Sequence, residues 1–408
     1  MLRSRQSKPL LGGRLSGGPE DSPITMAVVC RTGFNINTPA AAVTIRLGFC
    51  HGFAQVGVRH HLVSVHEVAR VLPKLRRPVA FVSCYDYVDL NAAARRLLQD
   101  IQHFIWVPPW FEDLEAVYAR HNLPDPRMPA EVTQRILESG AAFVWAPVPR
   151  SALVFYDEWR KRGQRLESIP LACDTTRYYP EPKDRRYADV KMAFVGGYLP
   201  YKNRQFEKFL KPYESILAVY GYNRWPYQGY QGYQGLLREN DERALYQNAR
   251  VCPALSEPHA EVVGDIVERA FKIMGSGGLA VTDVVPFYRD LFAADELLVP
   301  SSVEEYHDII HRALNDDDFN RRYREKGYRA VLERHTYAHR AQQILDLLGL
   351  SNQRAKRAGA REAHSGTGHT WPRECDFPFS GNMLLVRHEV KRVLLPCFTI
   401  CRSSWCPL

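Results

Sequence analysis

From Met26 onward, short apolar runs alternate with longer amphipathic stretches. "MAVVCRTG" ends at Gly33, and "HHLVSV", "PVAFVSC", "HFIWVP" and "AAFVWAP" follow it. Apolar runs this short, bounded by Gly, Pro or Asp, read as buried strands. Between the first two, "TPAAAVTIRLGFCHGFAQVG" has Thr38 as an N-cap and Pro39 at the first helical position, both features of a helix start. Gly57 suits its end. A helix through "ALVFYDEWRKRG" and then "LESIPLACD" complete the series. Strands alternating with helices predict an open, mostly parallel sheet with helices on both faces.

The pattern restarts after "YYPEPKDRRYAD", a Pro- and charge-rich stretch that reads as a linker. "VKMAFVGG", "ESILAVYGY", "ARVCPAL", "GLAVTD" and "ELLVP" predict five more strands, and 303–348 a helical region in several pieces. The fold class is therefore α/β, with two tandem Rossmann-like domains. Residues 26–178 form the first and 186–350 the second. Ligands in such sheets lie beyond the C-terminal ends of the strands, and clefts between domains are favoured sites. The repeat "YQGYQGYQG" (227–235) reads as a duplicated surface turn or as a functional tyrosine loop. Residues 1–25 and 351–408 lack any period and are expected to be unordered tails.

Charge sharpens this division. The net charge of +9 suggests nucleic acid until it is located. Residues 1–25 hold four Lys/Arg against two Asp/Glu, and residues 351–408 hold nine against four. The middle is close to neutral, so no basic stripe for nucleic acid is expected on the folded part. The basic tail admits a peripheral membrane contact as one reading. No apolar run reaches the length of a membrane span, and no secretory signal is evident; a cytoplasmic location is expected. Cys30, Cys50, Cys84, Cys173 and Cys252 are scattered and form no CxxC pair, and Cys375, Cys397, Cys401 and Cys406 crowd the tail. Reduced thiols are expected rather than a zinc site.

The candidate chemistry lies in "DIVERAFKIMGSGGLAVTD" (265–283). Glu268 and Lys272 stand at i,i+4, so a solvated pair is one reading. The other starts from Gly264, which lets backbone approach a ligand. A helix beginning there would point unpaired N–H groups at a diphosphate, and Glu268 one turn in would reach ribose hydroxyls. Lys202, in the loop after "AFVGG", is placed to meet the same diphosphate.

Five stretches resemble GT-B glycosyltransferases. "LESIPLACDTTRYYPEP" is similar to "IPNGVDxxxFxP", and "AFVGGYLPYKN" to "FVGRLxxxKG". "YQGLLRENDERALYQNARVCPALSE" is similar to "GxxxxxELxxLYxxADVFVxPS", and "IVERAFKIMGSGGLAVTD" to "LLEAMACGxPVVATD". "YRAVLERHTYAHRAQQIL" resembles the closing helix "FSWxxxAxxxL". Order and spacing agree over roughly residues 165–350, and the flavour resembles the spore-maturation-type group. The resemblance implies Glu268 on the donor ribose and Lys202 on the diphosphate. The family's arginine falls on Gly197, with Arg204 or Arg269 as replacements. Leu236 completes the expected donor pocket. The first glutamate of the retaining members falls on Ala260, one residue from Glu261, with Glu257 further off. The usual glycine-rich loop is replaced by "GFNINTPAA".

The expected function is transfer of a sugar from a nucleotide-diphosphate donor to a glycan, lipid or protein acceptor. Lys202 and Glu261 are its catalytic candidates, and no metal or cofactor is expected. His51, His60, His61 and His66 are candidate bases by chemistry alone. An inactive fold that binds a nucleotide sugar or a protein is the alternative, and an epimerase of the same fold another.

Overall fold

The computed structural model of the chain describes residues 16–20, 22–31, 41–123, 127–221, 225, 230, 232–237 and 239–351. The expected Thr38 cap, the "GFNINTPAA" loop and the 351–408 tail beyond Ser351 lie outside them. The first sheet holds β1 (Ser16–Gly17), β2 (Thr25–Cys30), β3 (Arg59–Ser64), β4 (Pro78–Ser83), β5 (His103–Trp106), β6 (Phe143–Ala146) and β7 (Leu166–Ser168). Their order is β1-β3-β2-β4-β5-β6-β7. Every pairing is parallel except β1 with β3. The central strands are buried on both faces, as all-parallel strands must be when helices cover them.

The second part contains β8 (Met192–Val195), β9 (Leu217–Tyr220) and β10 (Tyr233–Gly235) in the order β10-β9-β8, and β11 (Cys252–Ala254) paired with β12 (Ala280–Thr282). A parallel bridge from Met192 to Val251 joins the two sets at β8 and β11. All these pairings are parallel. β10 is built from the end of the tyrosine repeat, which supplies an edge strand rather than a turn alone. "ELLVP" forms no strand; Leu298 makes a single bridge to Val281. The linker is pinned rather than loose: Tyr178 is 2% exposed and donates to Glu242 at 2.7 Å.

One helix contact ties the chain's end to its beginning. The helix Tyr337–Leu347 packs on the helix Ala41–Gln55. Gly48 and Gly52 make room for it. A Cβ on Gly48 would lie 2.2 Å from the Tyr337 ring, and one on Gly52 2.3 Å from the Tyr337 carbonyl oxygen. Thr336 caps the helix through a reciprocal box with His339. The first helix ends at Gln55, and Gly57 turns the chain with φ of 72°.

Gly52→Ala puts a methyl against backbone that cannot swing aside. Overpacking of this kind should cost about 2–3 kcal/mol, read as a lowered urea midpoint at unchanged slope.

Candidate functional site

Strand order decides where a ligand can enter. In the second part the chain leaves β8 toward β9, then crosses to β11 on the other side. The crevice at such a switch, beyond the strands' C-terminal ends, is where open α/β sheets bind ligands. Here it is bounded by Val195–Gly197 after β8 and Leu255–Glu257 after β11. Arg269 spans it, donating from Nε to the Val195 carbonyl at 3.0 Å and from Nη1 to the Leu255 carbonyl at 2.5 Å. Its guanidinium lies over the Phe194 ring at 4.7 Å. Glycine is needed on the β9 side of the same crevice, where a Cβ on Gly221 would sit 2.1 Å from the Gly196 oxygen.

Lys202 sits in this crevice and is 3% exposed. Its Nζ is 3.0 Å from Glu257 Oε1, and Tyr201 donates to Glu257 Oε2 at 2.9 Å. Burial pulls Lys202 below its usual value, with Arg269 adding to the effect and Glu257 opposing it. Burial also opposes ionisation of Glu257, but Lys202 and then His259 outweigh it and hold the carboxyl low. Asp283, at the end of β12, is 2% exposed. Its Oδ2 accepts from Ser256 N at 3.0 Å and Gln205 Nε2 at 3.2 Å. Burial pushes it up to about 6 despite the Ser256 bonds.

Glu268 occupies a different place. It is 3% exposed and lies 2.9 Å from Lys272 Nζ. Thr44 of the first helix donates to its Oε2 at 2.5 Å, and Tyr337 to its Oε1 at 2.7 Å. Lys272 also reaches Thr44 at 2.9 Å and lies 4.0 Å from Glu242, which takes the hydroxyls of Tyr178 and Tyr246. The pair that one reading put on a solvated face is thus the centre of a buried polar network. Both carboxylate oxygens are engaged inside the protein, so a ribose contact would have to displace Thr44 or Tyr337.

Two further expectations change. The helix expected to begin at Gly264 begins at Glu268, four residues on. Gly264, with φ of 74°, instead closes the short helix Ala260–Val263. A Cβ there would lie 2.6 Å from Ala152 Cβ, so the glycine serves a close approach between the two parts. Glu261 is exposed on that short helix, and Arg204 is exposed as well. Gly197 is half-buried at the crevice, and Leu236 is 59% exposed. The structure brings Lys202, Arg269 and Gly197 together; Glu268 turns away from them. Glu257 is the residue that sequence spacing undervalues, because it is counted from Glu268. Its position three residues past β11 is the signal that marks it.

The histidines divide. His51 pairs with the buried Asp174 at 2.6 Å. Burial lowers His60 to about 4 and lowers His61 too. His66 is exposed. The five described cysteines are free, and no described helix is long and apolar enough to cross a membrane.

Comparison with known proteins agrees with this architecture. Residues 204–346 match the family model described as glycosyl transferase-like. Sucrose-phosphate synthase from Thermosynechococcus elongatus is similar, with a TM-score of 0.53 and 13% identity over 83% of this chain and 99% of that one. Anabaena HepE, solved in complex with UDP and glucose, gives 0.53 and 12% over 80% and 99%. T4 phage BGT, in complex with UDP and Mn2+, gives 0.50 and 12% over 79% and 99%. At these identities the likeness is one of fold. No curated protein matches the chain. The protein has the GT-B fold, an α/β arrangement of two Rossmann-like parts. Its second part carries the glycosyl transferase-like segment.

Removing one member of the buried pair leaves a charge without compensation. Lys272→Met should cost about 3–5 kcal/mol, and Lys272→Met with Glu268→Leu less than that, both measured by chemical denaturation. Asp283 gives a pH signature. Its ordinary value is 3.8 and its folded value about 6, so the folded state holds the proton longer and stability falls as pH rises through that window. Asp283→Asn should therefore be about 2–3 kcal/mol more stable than the parent at pH 7, at about 1.4 kcal/mol per unit. The two should converge near pH 4 in parallel denaturations.

Proposed function

We propose that the protein is a glycosyltransferase that uses a nucleoside-diphosphate sugar. The observation that carries this is the gathering of Lys202, paired with Glu257, and Arg269 at the β8/β11 crevice. Two cations at the C-terminal ends of parallel strands suit a diphosphate. In the reaction the sugar C1–O bond to the diphosphate breaks and a C1–O bond to an acceptor hydroxyl forms. The hydroxyl proton passes to a carboxylate, for which Glu257 and Glu261 are the candidates, and the nucleoside diphosphate leaves. Stabilising that leaving group is the main task of the site, and Lys202 and Arg269 supply the positive charge for it. Glu257 is the carboxylate beside them. Glu261, exposed and without a partner among the described residues, is the second carboxylate candidate. Gly197 gives the backbone room to approach the phosphates, and Leu236 flanks the base. Glu268 acts by placing Arg269, its chain neighbour. The first part of the chain takes the acceptor.

HepE was solved with UDP and glucose, and BGT with UDP, so UDP is the first ligand to try. BGT was also solved with Mn2+. We propose that protein cations alone meet the diphosphate here, and metal arms test it.

A second reading, a binder without transferase activity, is favoured by one observation: Lys202 is already closed against Glu257. Consumption of UDP-glucose separates the two readings. UDP at one hundred times its dissociation constant should stabilise the full chain by about 2.7 kcal/mol. Lys202→Ala should abolish that shift, and EDTA or added Mn2+ should leave it unchanged. If neither UDP, GDP, ADP, CMP nor TDP shifts the parent, the donor site is wrong. If EDTA removes the shift, the metal-free reading is wrong.

A further inference from the structure

The first sheet carries a built cavity that the donor site does not use. It is half open, with a volume of about 290 Å³, and lies beside the C-terminal end of β5, where Pro108 to Trp110 leave the sheet. Trp110 and Trp159 form its aromatic wall, with ring centroids 4.9 Å apart and planes at 79°. Both are held from behind. Trp159 Nε1 donates to the Pro108 carbonyl at 2.9 Å, and the Trp110 backbone N–H to the Phe155 carbonyl at 2.9 Å. Met128, Leu114 and Leu137 supply the aliphatic wall. Leu114 also packs with Tyr118 and Val263, so the cavity abuts the junction with the second part.

Among the described residues that line it, the charged ones are Arg127 and Arg162. Arg127 is bound to Glu115 at 2.9 Å. Arg162 has no ion pair among the described residues, and its guanidinium lies 5.4 Å from the Trp110 ring centre. An aromatic wall beside an arginine with no ion pair among the described residues suits a flat ring with one anionic group. The volume is at the low end for small-molecule sites. It admits one ring system and excludes a polysaccharide or a protein surface.

We propose that this cavity takes a small aromatic acid, such as a hydroxylated aryl carboxylate, with the anion on Arg162. The binding does not rest on the transferase reading. The test uses the full chain and two fluorescent probes, anionic 8-anilinonaphthalene-1-sulfonate and its neutral counterpart N-phenyl-1-naphthylamine. The anionic probe should bind saturably at one equivalent, and 4-hydroxycinnamate should displace it. Thr133→Phe, which fills the cavity from the helix Ala130–Leu137, should abolish binding of both probes at an unchanged unfolding midpoint. Arg162→Gln should weaken the anionic probe roughly tenfold, the loss of one charged hydrogen bond, and leave the neutral one unchanged. Anionic binding that survives Thr133→Phe, that never saturates, or that resists 4-hydroxycinnamate would overturn the proposal. Equal weakening of both probes by Arg162→Gln would overturn the choice of an anion. A missing UDP shift would sink the donor reading while leaving these titrations as they stand.

Discussion

The buried pair of Glu268 and Lys272 is the constraint on which the rest of the protein depends. It draws partners from four places in the chain: Thr44 on the first helix, Tyr178 in the linker, Glu242 and Tyr246 on the helix Glu239–Asn248, and Tyr337 on the last helix. Burial raises the hydroxyls of Tyr337, Tyr178 and Tyr246 well above their usual value, and the adjacent carboxylates reinforce it. They therefore stay protonated and donate. A buried ion pair is weak evidence for net stability, because desolvation offsets much of the attraction. Its value here is geometric. Charges that can be satisfied only in one arrangement fix the helix Glu268–Gly275 against both parts of the chain.

Arg269 inherits that placement. Successive helical residues point about 100° apart, so when Glu268 faces the interior, its neighbour swings to the crevice between β8 and β11. There it takes the carbonyls of Val195 and Leu255. Lys202, Glu257 and Asp283 surround the same point, and burial works on all three. The site is held under electrostatic tension: a lowered lysine, a carboxylate kept ionised by it and an aspartate pushed upward. Perturbed groups gathered in one crevice are what a catalytic or anion-binding site needs.

Much of the fold was legible in the sequence because its strands are short, apolar and bounded by Gly, Pro or Asp. "PVAFVSC", "HFIWVP" and "AAFVWAP" became β4, β5 and β6 with little shift. "ELLVP" shows the limit. An apolar run has the right composition for a strand, but pairing needs a neighbour in register, and Leu298 finds only Val281. The site was half legible. Lys202 could be placed from the loop after β8. Glu257 carries a signal in its place just past β11, but its importance comes from the contact between two loops that are far apart in sequence.

The sequence by itself determined the alternation of strands and helices and the near-neutral middle with basic ends. These are local properties, set by side-chain period and backbone sterics. Only the tertiary structure decided what Glu268 and Lys272 do. An i,i+4 pair looks the same on a wet face and in a dry core. The difference is whether Thr44, 224 residues away in the chain, arrives to share it.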